Sequence, residues 1–304
     1  MKKRRKRQSI VDFRASFPDE ESAIRYYEKV KWANGVVSPF DPTSKVYKCK
    51  NGKYKCKNTG KYFTYRTGTF FANSKIGMRD WLYAIIMIAN RKNAISSYQL
   101  ADDLDIPQKT AWYMLHRIRT AMAKENNQKL SGEVEIDETF VGGKNINRHK
   151  DKKVEKCQGR SYKDKVPVFG ALERNGKIFA MVVPNTQAKT IVPIIKQNVE
   201  KGSVVYTDGW DYSGLHDGYI QRSVDHEKHF YGITYATDEG EIITVSTNGI
   251  ENAWSVFKRT IKGTYIHVSK KYLQRYVDEF VFRFNTRKIS KYERIELLLQ
   301  YAAA

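Results

Sequence analysis

Three carboxylates in the second half of the chain have the residue type and setting that chemistry requires. Glu251 lies in T-N-G-I-E-N-A-W-S-V-F-K-R, residues 247–259. The spacing of Ile250, Ala253, Trp254, Phe257 and Ile261 predicts a helix with one buried face, while Glu251, Ser255, Lys258 and Lys262 share the opposite stripe. An acid and a base, Glu251 and Lys258, then stand two turns apart on a solvent-facing surface. Asn248 followed by Glu251 also fits an N-cap and capping box, so a purely structural role for Glu251 stays open. Asp137 sits in G-E-V-E-I-D-E-T-F-V-G-G, where residues 134–141 alternate like a strand and place it on the face opposite Val134 and Ile136. Asp208 ends the β-branched run S-V-V-Y-T and precedes Gly209, and the carboxyl ends of strands are where open α/β sheets hold their sites. Either aspartate alone also suits a turn or a surface charge.

Taken as a set, Asp137, Asp208 and Glu251 point to one kind of centre. Carboxylates that converge repel one another unless cations lie between them, and hard divalent ions take oxygen ligands. Such a centre suits two-metal phosphoryl transfer. Paired carboxylates also serve glycoside hydrolysis, but the charge of the chain argues for a polyanionic substrate. Its 54 Lys and Arg against 33 Asp and Glu give a formal net charge of +21. Residues 1–75 hold 19 basic and 6 acidic residues, a local 19 − 6 = +13. That concentration is the footprint expected for nucleic acid, against a solubility tail or a membrane-surface patch. K-K-R-R-K-R at 2–7 fits either class. The stretch 45–66 is more specific: Lys48, Lys50, Lys53, Lys55, Lys57, Lys61 and Arg66 alternate with Tyr47, Tyr54, Tyr62, Phe63 and Tyr65, without one acid. Cations interleaved with aromatics suit a folded β element against a phosphate backbone.

The elements that must position these residues follow from periodicity and breakers. Residues 8–30 read as helical, 32–72 as a small β-rich module and 78–90 as an amphipathic helix. Ser97 caps a short helix through Leu104, Asp105-Ile106-Pro107 breaks it, and Gln108, Lys109 and Thr110 open a second with Trp112, Leu115 and Ile118 inward. That is the outline of a helix-turn-helix whose second helix begins with side chains able to reach base edges, although many αα-hairpins share it. Residues 124–132 read as a polar linker. Strands are expected at 133–141, 166–173, 177–183 and 203–208, with helices at 189–200, 249–262 and 270–285. The stretch 144–165, with nine basic and three acidic residues, is an insertion or a DNA-gripping arm. No apolar run is long enough to span a bilayer and no signal peptide is evident. Cys49, Cys56 and Cys157 form no C-x-x-C, which fits a reducing compartment.

G-E-V-E-I-D-E-T-F-V-G-G-K, V-F-G-A-L-E-R-N-G-K, V-Y-T-D-G-W, T-N-G-I-E-N-A-W-S-V-F-K-R-T-I-K-G-T-Y-I-H-V-S and Y-L-Q-R-Y-V-D-E-F-V-F-R-F-N-T-R, in that order, closely resemble the ISXO2-like DDE transposases of bacterial insertion sequences. The resemblance runs from about Tyr47 to Arg287. It implies an α/β RNase H-like catalytic core at 131–304 with a helical C-terminus. This core would follow a zinc-ribbon-like module at 1–75 and a helix-turn-helix region at 76–130. It implies Mg2+, with Mn2+ as an alternative, held by Asp137, Asp208 and Glu251. Asn248 competes for the third place, Lys258 contacts a phosphate, and Arg259 joins the DNA-binding residues. Implied partners are transposon-end DNA, target DNA and further copies of the chain, in the bacterial cytoplasm at the nucleoid. His226, in S-V-D-H-E-K, lies on a segment that such families keep near the site, or packs beside a strand. One departure stands out: W-A-N-G at 32–35 and C-K-N-T at 56–59 occupy the places of two C-x-x-C knuckles. A structural zinc needs about four N or S ligands, so the module is expected to be metal-free and held by packing. The rival functions are a domesticated, non-catalytic DNA-binding regulator and a nuclease without strand transfer.

Overall fold

The computed structural model describes residues 10–91, 93–143, 149–153, 165–209, 212–224, 233–236 and 242–303. The basic run at 2–7, most of the 144–165 stretch, Cys157 and His226 fall outside them. The chain divides into two compact units, residues 1–122 with 287–304, and residues 123–286. The first unit takes in the expected regions 1–75 and 76–130 as far as Met122, together with the last helix. Among the described residues no helix is long and apolar enough to cross a membrane.

The first unit begins with α1 (Ile10–Ser16) and α2 (Glu20–Lys31), not one continuous helix. Pro18 and the N-cap Asp19 separate them: Asp19 Oδ1 accepts from the Ser22 amide at 2.7 Å, which starts a new helix. Strands β1 (Val46–Lys48), β2 (Tyr54–Cys56) and β3 (Tyr62–Phe63) form a small antiparallel sheet. Then come α3 (Met78–Asn90), α4 (Ser97–Leu104) and α5 (Gln108–Met122). The N-cap of α4 is Ser96, one residue earlier than expected, and Asp105 ends it in the left-handed conformation. Ala111, Met114, Leu115 and Ile118 turn inward from α5, whereas Trp112 is half-buried.

Residues 123–127 are not a linker but a 3-10 turn with Glu125 and Asn126 buried. The Asn126 side chain donates to the Ala180 carbonyl at 2.7 Å and accepts from its amide at 3.1 Å, so it caps a sheet edge. The sheet contains β4 (Glu133–Val141), β5 (Val166–Glu173), β6 (Ile178–Val182), β7 (Val204–Asp208) and β8 (Ile220–Val224) in the order β6-β5-β4-β7-β8. β4, β5 and β6 pair antiparallel; β7 and β8 run parallel to β4. Helix α6 (Ala188–Asn198) crosses between β6 and β7 and packs Ile191 and Ile195 on Val134, Ile136 and Phe169. β9 (Ile233–Ala236) and β10 (Ile242–Val245) form a two-stranded ribbon. The other sheet face is covered by α7 (Asn248–Thr260) and α8 (Leu273–Asn285), through Ile250, Trp254, Phe257, Val277 and Phe280 against Val168 and Leu172. Strand alternation thus sends Val168 and Leu172 of β5 into one core and Phe169 and Ala171 into the other, while β4 gives Val134 and Ile136 to the latter. Helix α9 (Lys291–Ala303) completes the chain within the first unit.

Candidate active site

Asp137 and Asp208 are brought together by parallel pairing. β4 and β7 are in register at Glu133↔Val204 and Glu135↔Tyr206, so two residues further along Asp137 and Asp208 are level on neighbouring strands and share a face. Neighbouring strands lie about 4.8 Å apart, so both carboxylates project into the same space. Burial, and then the charge of Glu138, push the Asp137 carboxyl up to about 7, and the charges of Glu251 and Asp208 add to the rise. The three predicted acids therefore act on one another electrostatically. Among the described residues, no three of His, Cys, Asp and Glu stand close enough together to enclose an ion.

Glu251 acts on Asp137 from the first turn of α7, and the position of that turn follows from how α7 docks on the sheet. Thr247, not Asn248, occupies the N-cap, and no side chain caps there. The expected capping box between Asn248 and Glu251 is absent; Asn248 is the first helical residue and is exposed. Glu251 is also exposed, with the Thr247 hydroxyl donating to its Oε1 at 3.4 Å. The helix end is satisfied from the sheet instead. Buried Glu135, on the Asp137 face of β4, accepts from the Ile250 amide through Oε2 at 2.9 Å. Arg174 holds Glu135 in place: its Nε donates to Glu135 Oε1 at 3.1 Å, its Nη2 to the Ser246 carbonyl at 3.1 Å and its Nη1 to Glu133 Oε1 at 3.2 Å. The guanidinium lies 3.9 Å from the Tyr206 ring centroid, and the Tyr206 hydroxyl donates to Glu133.

Two glycines make this approach possible. A Cβ on Gly249 would lie 2.6 Å from Glu135 Oε2, so any side chain there would push the helix end off its carboxylate. Gly170 pairs with Asp137, and a Cβ on it would lie 2.3 Å from Trp254 Cζ2. Its bare backbone lets the indole lie against the sheet beside the aspartates. Sequence reasoning missed Glu135 and Arg174. The alternation E-V-E-I-D puts Glu133 and Glu135 on the face of Asp137, and buried carboxylates on a strand call for a partner cation. Lys258 and Arg259 are exposed in the last turn of α7.

The expected DNA-contacting residues fall into two groups. Lys48, Lys50, Lys53, Lys57 and Lys61 are exposed on the small sheet and its turns. Tyr47, Lys55 and Tyr62 pair across β1, β2 and β3, with the Lys55 ammonium 5.5 Å from the Tyr62 ring centroid. Arg66 instead turns inward, to the Ser74 carbonyl, the Tyr65 hydroxyl and Glu20. On α5, Lys109 is exposed and Thr110 half-buried, but Gln108 donates to Ser97 Oγ at 2.7 Å and so ties the two helices together. Beneath the small sheet, Trp32 packs on Tyr54 and Phe63, with ring centroids 4.9 and 6.3 Å away. Cys56 is buried there; burial raises its thiol, and hydrogen bonds with Ser38, Ser44 and Thr59 outweigh that and bring it to about 6.

The profile of a family described as "ISXO2-like transposase domain" matches residues 129–285. The chain is similar to an uncharacterized protein in transposable element ISH50 of Halobacterium salinarum, 24% identical over 94% of this chain and 98% of that protein. It is also similar to an uncharacterized transposase-like protein of Haemophilus influenzae, 31% identical over 41% of this chain and 92% of that protein.

Proposed function

The chain belongs to the ISXO2-like transposase family, and on that premise we propose that it is a metal-dependent DDE transposase that cuts DNA at transposon ends and joins the freed 3′ ends to target DNA. The observation that carries this reading is that Asp137 and Asp208 share one face of the sheet on neighbouring strands, and that the charges of Glu251 and Asp208 both raise the Asp137 carboxyl. A mixed sheet with helices on both faces supports the RNase H-like description of the core.

Hard carboxylate oxygens fit Mg2+, or Mn2+ in its place, and such ions supply activation of the attacking oxygen and stabilisation of the leaving oxygen. The chain's own residues do the rest. Asp137 and Asp208, fixed on neighbouring strands, would hold the ions from the sheet, and Glu251 would complete the set by moving in from the first turn of α7. The Glu135–Arg174 pair holds that helix end at the depth the set requires. Lys258, on the Glu251 stripe, contacts a phosphate near the scissile bond. The lysines of β1–β3 and of α5 grip the duplex, with α4 and α5 acting as a helix-turn-helix. Joining two ends requires at least two copies of the chain.

The test is incubation of the protein with Mg2+ and duplexes from the flanks of its own gene. Nicked and joined products are expected, and Asp137→Ala or Asp208→Ala abolishes both with DNA affinity nearly unchanged. Cleavage retained in either variant overturns the site. Tight binding by the wild type without cleavage selects the regulator, and cleavage without joining selects the nuclease.

A further inference from the structure

The corner between α7 and α8 carries an isoleucine in a conformation and an environment that both disfavour it. Ile266 is 82% exposed, the most exposed of the large apolar side chains described. Its backbone has φ 60° and ψ −56°, and the His267 amide donates to the Tyr265 carbonyl at 2.6 Å. This is the classic γ-turn, rare and strained, and a β-branched residue is the least suited to it. Glycine would take this conformation without strain, and Gly263 lies only three residues away in open surroundings.

The turn is held by its neighbours. Residues 261–265 form a π-helical turn that ends with the Ile266 amide bonded to the Ile261 carbonyl at 2.7 Å. The Tyr265 hydroxyl donates to buried Glu279, at 2.8 and 2.7 Å to its two oxygens, and the Tyr265 ring packs edge-on to Tyr276. Val268 packs into the α7–α8 core. Both flanks are therefore anchored inward, and the residue between them is presented outward on a fixed support.

The surroundings indicate what it is presented to. Residues 252–277 contain Lys258, Arg259, Lys262, Lys270, Lys271 and Arg275 and no Asp or Glu. Lys258, Arg259, Lys262, Lys270 and Lys271 are exposed. A second copy of a +21 chain would be repelled by such a surface, whereas a phosphate backbone neutralises it. Apolar side chains inserted between base steps unstack and kink a duplex held by flanking cations.

The geometry points to Ile266 as an apolar wedge that enters a base step of duplex DNA about 20 Å along α7 from Glu251, with the surrounding lysines gripping the phosphates. This rests on the transposase reading, and deepens it by naming a residue that deforms the substrate.

The experiment compares the full-length wild type with Ile266→Gly, which takes the backbone of the turn without strain, and Ile266→Asn, which removes the β-branch and the apolar surface while keeping a side chain. The probe is a flank duplex with 2-aminopurine at successive steps around the cleavage position. Wild-type binding is expected to raise the fluorescence at one step, and both variants to lose that rise. Their affinity should fall by about tenfold or more, the amount supplied by burying one isoleucine side chain. Their thermal midpoints should equal or exceed that of the wild type, since an exposed apolar group and turn strain are removed. A lowered midpoint would instead show that Ile266 packs within the protein. Variants that bind and unstack like the wild type overturn the wedge while leaving the transposase reading standing. A wild type without affinity for the flanks removes both. Variants that retain DNA binding but lose self-association assign Ile266 to a second copy of the chain and overturn the wedge.

Discussion

The small sheet β1–β3 and the large sheet β4–β8 are stabilised by opposite means. Under the small sheet the interior is aromatic: Tyr54 and Phe63 stack with centroids 5.6 Å apart, and Trp32 meets both edge-on. The large sheet has apolar cores on both faces, yet where α7 begins it buries Glu135 against Arg174. Apolar packing stabilises without dictating a precise position, because it depends on area more than on direction. A buried ion pair returns little net stability but fixes distances and angles. Under the proposed function the difference matches two tasks: a platform that has only to present lysines, and a site where a carboxylate on a helix has to be set against two on strands.

That comparison breaks most visibly at Arg174. In Arg174→Met the Glu135 carboxylate, with a side chain only 5% exposed, keeps the Ile250 amide as its remaining partner. Stranding a buried charge costs about 3–5 kcal/mol. Denaturant unfolding of the second unit should register that loss, and Mg2+-dependent cleavage should fall about a hundredfold from misplacement of Glu251. Unchanged cleavage in folded Arg174→Met would show that the pair is only structural.

Phe63→Ala tests the other side. Phe63 is 2% exposed, and truncating a buried phenylalanine costs about 3–4 kcal/mol. The loss should be local: amides of residues 46–63 should lose hydrogen-exchange protection while those of β4 and β5 keep theirs. A chelator should leave the wild-type module protected. About one zinc per chain by elemental analysis would show that metal and not packing holds it.

A smaller effect separates platform from solvated charge. Lys55→Ala should alter stability by no more than about 0.5 kcal/mol. It should reduce the slope of log DNA affinity against log salt by about 0.9, the contribution of one phosphate contact. An unaltered slope would remove Lys55 from the DNA-binding surface.

The strands were legible where the pattern is local. Residues 133–141 form a strand as the alternation predicts, 166–173 form one where a strand is expected, and α3 spans 78–90 as its apolar spacing predicts. Legibility failed where partners are remote. Asn126 reads as linker because its partners, Ala180 and Asp278, lie 54 and 152 residues away. Glu135 reads as one more strand charge because the amide it caps is 115 residues further on. The same blindness produced the capping box at Asn248: the local pattern N-G-I-E fits one, and nothing near it in the chain announces that a glutamate from β4 supplies the cap.

That correction sharpens the last comparison, between Asn248 and Glu251, where the smallest changes in stability are expected. Asn248 is an exposed first-turn residue without a capping bond, so Asn248→Ser should cost no more than about 0.5 kcal/mol. Its neutral amide is also a weaker partner for a divalent cation than a carboxylate. Glu251 is exposed as well, and its charge acts on Asp137. Glu251→Gln keeps the shape and the acceptor for Thr247 while removing the charge, so it too should leave the thermal midpoint nearly unchanged. The two variants should therefore part only in chemistry: Glu251→Gln binds flank DNA but does not cut it, and Asn248→Ser cuts at close to the wild-type rate. Normal cutting by Glu251→Gln together with a dead Asn248→Ser would move the third ligand one turn back, to the helix end that Glu135 and Arg174 hold against the sheet.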